Sequence, residues 1–181
     1  PYEGAERVDA LLALADLARE IGDVTRCERA EGAAVRVGES VLAPDDPRLL
    51  TALLRHGRSL TAAGSFGEAV ARFEDIVERS QHRPAGALPG LPDALRDVSR
   101  AFRSAGDLAA TIALERRIVA LLARTLDAHD TALASARYGL AVDLYTALEF
   151  EEARGLYESA LEAYAAVLPA GDRRIHGTRH A

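Results

Sequence analysis

The feature that most constrains the fold is an internal repeat with a period of 42 residues. Glycine recurs at this spacing at Gly22, Gly64 and Gly106, and the next step falls on Leu148. Two further columns keep the same register, one of small residues and one of apolar residues: Ala15, Gly57, Ser99 and Ala141, and Ala18, Leu60, Phe102 and Leu144. Repetition of this kind indicates a chain built from stacked copies of one structural unit.

The unit is a pair of amphipathic helices, and it is clearest in residues 46–80. Apolar side chains follow helical spacing on both sides of a break at residues 63–65. They are Leu49, Leu50, Leu53, Leu54 and Leu60 before the break, and Phe66, Ala69, Val70, Phe73, Ile76 and Val77 after it. Neither helix could bury this stripe alone, so the pattern predicts helical hairpins that cover one another.

The spacing of these residues resembles the tetratricopeptide repeat (TPR). The order is Leu53…Gly57…Leu60…Gly64…Phe66…Ala69…Phe73, and a second copy is Leu140-Ala141…Leu144…Phe150…Ala153…Tyr157…Ala160. The usual TPR period is about 34 residues, and the longer period here is similar to that of kinesin light chain and of many bacterial regulators. The resemblance implies an all-α, right-handed α-solenoid of four antiparallel hairpins with a partial fifth. HEAT-type repeats have a compatible length but lack this residue order, and they are the second choice.

The repeats divide the chain into one solenoid domain over residues 1–181, with units at about 6–42, 46–84, 88–126 and 130–168. Asp172 falls in the same column as Asp46 and Asp130, where a carboxylate can cap a first helix, so residues 169–181 are interpreted as the truncated start of a further repeat or a tail. Residues 81–92 hold three prolines and two glycines and are predicted to form the longest loop. Glu31 and Glu115 are irregular, because they stand in the column that aromatic residues fill in the other units.

Composition excludes several classes of function. A net charge of −6 argues against nucleic acid as a partner. No apolar run is long enough to span a membrane, and no signal peptide opens the chain. The single cysteine excludes an internal disulfide and favours a reducing cytoplasm. No phosphate loop, nucleotide fingerprint, metal-ligand set or nucleophile elbow occurs, so we expect no catalytic residue, cofactor or metal.

The candidate partner-binding residues lie on the first helices, which line a concave groove in TPR proteins. Arg96, Arg100 and Arg103 share one helical face, and the columns add three neighbours: Arg58, Tyr138 and Tyr145. Arginines bind carboxylates bidentately and tyrosines add rigid contact area, which predicts an acidic or carboxylate-terminated protein segment as the partner. In the alternative interpretation, the arginines are a solvated face paired with Asp93 and Asp97.

The sequence therefore favours a non-catalytic protein–protein interaction module, a scaffold, adaptor or sensor segment of a larger bacterial protein in the cytoplasm. The absence of methionine, even at position 1, is the basis for expecting a longer parent chain. The alternative is a receptor domain for a small molecule or short peptide within a regulator, and an enzyme ranks third. An uncapped last repeat would expose apolar surface, which leaves self-association through the repeat ends open.

Overall fold

The computed structural model describes residues 2–80, 90–104 and 106–179, with side chains from residue 4 onward. These residues form α-helices joined by turns, without a strand among them. The chain divides into two compact units, Pro1–Arg83 (unit 1) and Pro84–Ala181 (unit 2). The prediction that residues 1–181 form a single domain stays a prediction.

Unit 1 contains two helical hairpins. They are formed by α1 (Tyr2–Glu20) with α2 (Val24–Val41), and α3 (Pro47–Ala62) with α4 (Phe66–Arg79). Each helix packs against the next, and the first helices α1 and α3 also contact each other. The stripe predicted from residues 46–80 forms the core here, since Leu49, Leu53 and Phe73 are fully buried.

Unit 2 repeats this arrangement with α5 (Leu91–Arg103), α6 (Leu108–Thr125), α7 (Thr131–Thr146) and α8 (Phe150–Val167), followed by the short α9 (Arg173–Arg179). The first helices α5 and α7 are again in contact. Helix α9 packs on α8 through the buried Ile175, as the partial fifth repeat predicted. Most of the predicted loop over residues 81–92 lies outside the described residues, and α5 already begins at Leu91 because Pro92 suits the first turn of a helix.

The repeated glycines lie at the turn inside each hairpin. Gly22, Gly64 and Gly106 have φ of 75°, 81° and 86°, and Leu148 adopts the same left-handed conformation with φ 66°. The N–H of Glu149, the residue after this position, donates to the carbonyl of Leu144 at 2.9 Å, as in a Schellman motif. Glycine recurs here because it reaches this conformation without a Cβ penalty, and the fourth hairpin forms the same turn with a leucine.

Aspartates begin the first helices as predicted. Asp46, Asp130 and Asp172 each accept a hydrogen bond from the backbone N–H two residues later, at 2.8, 2.7 and 2.9 Å. These bonds satisfy N–H groups that have no partner inside the helix. The caps therefore fix where α3, α7 and α9 start.

Candidate functional site

The structure places four of the six predicted site residues around one cavity of unit 2. The cavity has a volume of about 280 Å³ and lies among α5, α6 and α7; it is called the α5–α7 cavity below. Its lining includes Arg96, Arg100, Arg103 and Tyr138. Arg58 is exposed on α3 in unit 1, and Tyr145 does not line this cavity.

The two arginines at the mouth of the cavity form ion pairs on their own helix. Arg96 pairs with Asp93, and Arg100 Nη1 lies 3.7 Å from Asp97 Oδ1. Both arginine side chains remain more than half exposed. The ion pairs expected in the alternative interpretation are therefore present, and exposed pairs of this kind contribute little to stability.

The base of the cavity is a buried carboxylate on the second helix of its repeat. Glu115 Oε1 accepts hydrogen bonds from Ser99 Oγ and Arg103 Nη2, both at 2.5 Å. Glu115 is only 3% exposed, yet its Oε2 accepts no hydrogen bond from any described residue. The same Arg103 Nη2 lies 3.2 Å from Oδ2 of Asp143, a second buried carboxylate, on α7.

Burial raises the pKa of Glu115, because a charged carboxylate loses its hydration there. The Ser99 hydroxyl and the Arg103 guanidinium act in the opposite direction, and the nearby Asp143 carboxylate raises the pKa further. One arginine thus pairs with two buried carboxyl groups, and a hydrogen bond between these two groups also raises the pKa of Glu115.

Unit 1 holds a comparable but fully satisfied network around Glu31, which is completely buried. Its Oε1 accepts from Arg19 Nη2 at 2.5 Å and from Arg55 Nε at 3.2 Å, and its Oε2 accepts from Ser59 Oγ at 2.6 Å. Arg19 and Arg55 also bind the exposed Asp16, which lowers the pKa of that carboxyl. The two arginines therefore balance two carboxylates.

Sequence reasoning noted Glu31 and Glu115 as irregular but did not predict these networks. The signal was present, because each glutamate follows an arginine by twelve residues, Arg19 and Arg103 respectively. In the other two repeats an aromatic residue fills the glutamate column, namely Phe73 and Tyr157. A buried acid that replaces an aromatic side chain needs a cation nearby, and that requirement points to the arginine column.

The two predicted tyrosines have different surroundings. Tyr138 is half-buried and packs edge-to-face on Tyr157, with ring centroids 5.5 Å apart. Tyr145 packs on Phe150 at 5.2 Å and lines a different hollow of about 420 Å³. The structure therefore joins Tyr138, but not Tyr145, to the arginines of α5.

Two other polar side chains are buried in unit 1. His56 is 7% exposed, and burial lowers its pKa together with the nearby Arg72. Cys27 is 5% exposed and lies 3.7 Å from the Ser59 hydroxyl.

The described part of the chain contains no cluster of three or more His, Cys, Asp or Glu side chains suited to a metal ion. In the same residues, no helix combines the length and the apolar character needed to cross a membrane.

The hairpins, their left-handed turns and their close helix contacts define the fold of TPR-like repeat proteins, and solved structures agree. The crystal structure of a Podosopora anserina putative kinesin light chain with nearly identical TPR-like repeats matches 97% of this chain and 83% of that chain, with a TM-score of 0.58 and 20% identity. BtubC (BKLC) from P. vanneervenii matches 98% of this chain and 71% of that chain, with a TM-score of 0.59 and 16% identity. MamA matches 97% of this chain and 82% of that chain, with a TM-score of 0.52 and 19% identity.

At these identities the likeness shows the fold. No protein-family model and no curated protein sequence matches the chain. The more specific resemblance, to a bacterial type of repeat with the longer period, stays a prediction.

Proposed function

We propose that this chain is a non-catalytic protein–protein interaction module that binds a segment of a partner protein on the face formed by its first helices. The observation that carries the proposal is the α5–α7 cavity, which gathers Arg96, Arg100, Arg103 and Tyr138 around one opening. The fold supports it, because stacked helical hairpins present extended surfaces of this kind for binding. In this proposal the module is a scaffold or sensor segment of a larger bacterial cytoplasmic protein.

The exposed guanidinium groups of Arg96 and Arg100 would receive carboxylates of the partner at the mouth of the cavity. Among the described residues, each pairs with one carboxylate of its own helix, and a guanidinium has further N–H donors to offer. An acidic segment of the partner would exchange weak solvent-exposed pairs for bidentate ones. Binding of this type weakens as salt rises.

A receptor function for a small molecule or short peptide is the second candidate. The α5–α7 cavity, at about 280 Å³, lies near the lower end of the range of about 300–1,000 Å³ that small-molecule sites usually occupy. The exposed arginines beside it favour the peptide-binding function as the first candidate.

The test is a selection of random peptides displayed on phage against the immobilised chain, followed by affinity measurements on the selected peptides. The double variant Arg96→Glu/Arg100→Glu reverses charge at the mouth of the cavity. The control is Arg154→Glu, since Arg154 forms a similar exposed pair with Glu151 on α8 but does not line the cavity. Circular dichroism verifies that both variants stay helical.

We expect acidic peptides that bind the wild type and the control but lose at least tenfold in affinity for the double variant. Peptides that bind all three proteins equally would place the interaction away from the α5–α7 cavity. A selection that enriches no peptide would refute the peptide-binding function itself.

A further inference from the structure

The networks of units 1 and 2 occupy equivalent positions, two repeat periods apart. Arg19 corresponds to Arg103 and Glu31 to Glu115. On the following first helix the residues differ, since Arg55 corresponds to Gly139 and Ser59 to Asp143. Unit 2 thus keeps the central pair of the network and lacks its second arginine.

This exchange leaves a local deficit of one cation in unit 2, because Arg103 alone pairs with two buried carboxyl groups. Its Nη2 lies 2.5 Å from Glu115 Oε1 and 3.2 Å from Asp143 Oδ2. Glu115 and Asp143 are both more than nine-tenths buried. Oε2 of Glu115 and Oδ2 of Asp143 receive no N–H or hydroxyl donor from the described residues, and the hydrogen bond between the two carboxyl groups themselves raises the pKa of Glu115. A buried carboxylate without a full set of donors is costly.

The glycine brings the backbone of α7 close to the network. A Cβ built on Gly139 would lie 4.0 Å from each oxygen of Glu115 and only 3.2 Å from Arg103 Nη2, a tight contact that the end of this arginine side chain would have to relieve. In unit 1 the side chain of Arg55 extends from this position and donates to Glu31. In unit 2 the α5–α7 cavity is lined by both Gly139 and Glu115.

The remaining walls of the cavity suit the stem of a long cationic side chain. Ile118 and Leu122 are apolar and nearly fully buried, and they would cover the methylene groups. The half-buried ring of Tyr138 also lines the cavity, and an aromatic face attracts a guanidinium. A guanidinium is more weakly hydrated than an ammonium and donates in a planar fork, so arginine suits a buried carboxylate better than lysine does.

We propose that the α5–α7 cavity binds an arginine side chain of the partner, whose guanidinium donates to Glu115 and Asp143 in the place that Arg55 holds in unit 1. The inference rests on the proposed function, because the arginine side chain would belong to the partner protein that the module binds. It deepens that function by assigning a residue type to the anchor, with acidic residues of the same segment beside it at the mouth of the cavity.

The first experiment uses a defined probe, N-acetyl-L-arginine N-methylamide, titrated into the ¹⁵N-labelled chain and followed by NMR. The matched probes carry citrulline, which has the same shape without the charge, or lysine. A single side chain is expected to bind in about the millimolar range. We expect the amide signal of Gly139 to shift with the arginine probe, with at least tenfold weaker binding of the citrulline probe and an intermediate affinity for lysine.

Variants of the carboxylates test the site. Glu115→Gln and Asp143→Asn each keep the shape of the side chain and remove its charge, and either one is expected to weaken binding of the arginine probe at least tenfold. The control Glu162→Gln removes the same charge from an exposed position on α8 and should leave the affinity unchanged. Using two carboxylate variants keeps the test valid if one of them folds poorly.

A third variant supplies the missing cation within the chain. Gly139→Arg should abolish binding of the probe and raise the melting temperature above that of Gly139→Gln by a few degrees, roughly what one ion pair would add. Arginine and glutamine have similar helix propensities, so the difference reports the charge. Equal melting temperatures for the two variants would show that an arginine at position 139 does not pair with Glu115 as Arg55 pairs with Glu31.

Binding of the arginine probe should also depend on pH. The groups that face Glu115 are Ser99 and Arg103 from α5 and Asp143 from α7. Burial raises the pKa of Glu115, and a guanidinium binds the ionised form of a carboxyl group more strongly than the protonated form. Affinity should therefore increase as the pH rises through that pKa, by at most about tenfold per pH unit, and Glu115→Gln should remove the dependence.

The failures of the two proposals can be distinguished. Equal binding of the arginine and citrulline probes, or probe binding that survives both carboxylate variants, would overturn the arginine site while selected peptides could still bind the chain. Probe binding that needs Glu115, combined with no peptide enriched in the selection, would instead refute the peptide-binding function and leave a site for a free guanidinium compound.

Discussion

Replacing each buried glutamate by glutamine should show that the two networks differ in charge balance. Glu31→Gln and Glu115→Gln make the same chemical change at equivalent positions of units 1 and 2. Both residues are buried, at 0% and 3% exposure. A different effect on stability would therefore come from the groups around them.

In unit 1 the substitution removes the negative charge that two arginines share. Hydrogen bonds to charged groups contribute about 1.5–3 kcal/mol each, and the bonds from Arg19 and Arg55 would become neutral ones. The Arg19 side chain is 51% exposed and Arg55 21% exposed, so both can recover part of their hydration. We expect Glu31→Gln to lower the free energy of unfolding by roughly 2–3 kcal/mol.

In unit 2 the same substitution removes one of two carboxylates that share Arg103. The amide oxygen can still accept from Ser99 and Arg103, and the new N–H₂ group can donate to Asp143. The raised pKa of Glu115 means that its ionisation opposes folding, so stability contributed by the protonated form is lost as pH rises above about 4.5. We expect Glu115→Gln to be neutral or to stabilise by up to about 1 kcal/mol at pH 7.

The assay is urea unfolding at pH 7 and at pH 5, followed by circular dichroism and by tyrosine fluorescence. Tyr138, Tyr145, Tyr157 and Tyr164 all lie in unit 2, so fluorescence reports mainly on that unit. Lowering the pH from 7 to 5 should raise the free energy of unfolding of unit 2 more in the wild type than in Glu115→Gln. Equal losses of 2 kcal/mol or more for both substitutions (about the energy of one charged hydrogen bond) would refute the charge deficit in unit 2.

Two further predictions concern the turns and the caps. Leu148→Gly should stabilise the chain by about 1 kcal/mol in thermal unfolding, because a φ of 66° strains a leucine. Gly64→Ala should destabilise the chain by about 1 kcal/mol. No atom lies within 4 Å of the new Cβ, so only the φ of 81° opposes this substitution. No gain from the first substitution would contradict the assignment of strain. The pKa of Asp172 should be about 2 by NMR titration because Arg174 donates to it, so the stability it contributes is present above pH 3.8 and is lost as the pH falls toward 2. Arg174→Gln should move this pKa back toward 3.8, and an unchanged value would show that the side-chain pair is not its cause.

The repeat made most of the fold predictable from the sequence. The apolar stripe of residues 46–80 and the glycine column follow local rules of helix spacing and turn geometry, which act within one hairpin. The start of α5 was less predictable, because Pro92 suits either a loop or the first turn of a helix. Whether the two units form one domain depends on contacts between distant residues, and the repeat pattern does not specify these.

The site was only partly predictable, because its chemistry depends on residues that are far apart in the sequence. Helical spacing correctly grouped Arg96, Arg100 and Arg103, but it does not distinguish an exposed arginine from one held by buried acids. Arg103 meets Glu115 and Asp143 only when α5, α6 and α7 pack together. The column pattern placed Tyr145 beside the arginines, yet its ring packs on Phe150 around another hollow.

The incomplete network of unit 2 agrees with the arginine site proposed above. An aromatic side chain fills this column in two of the four repeats, and apolar packing is usually at least as stabilising as a buried ion pair. Glu31 is compensated by two arginines, so its network is consistent with a structural role. Glu115 stands beside Asp143 with one arginine between them and an open cavity next to Gly139. In the proposed complex, an arginine of the partner would supply the second guanidinium that Glu31 already has in unit 1.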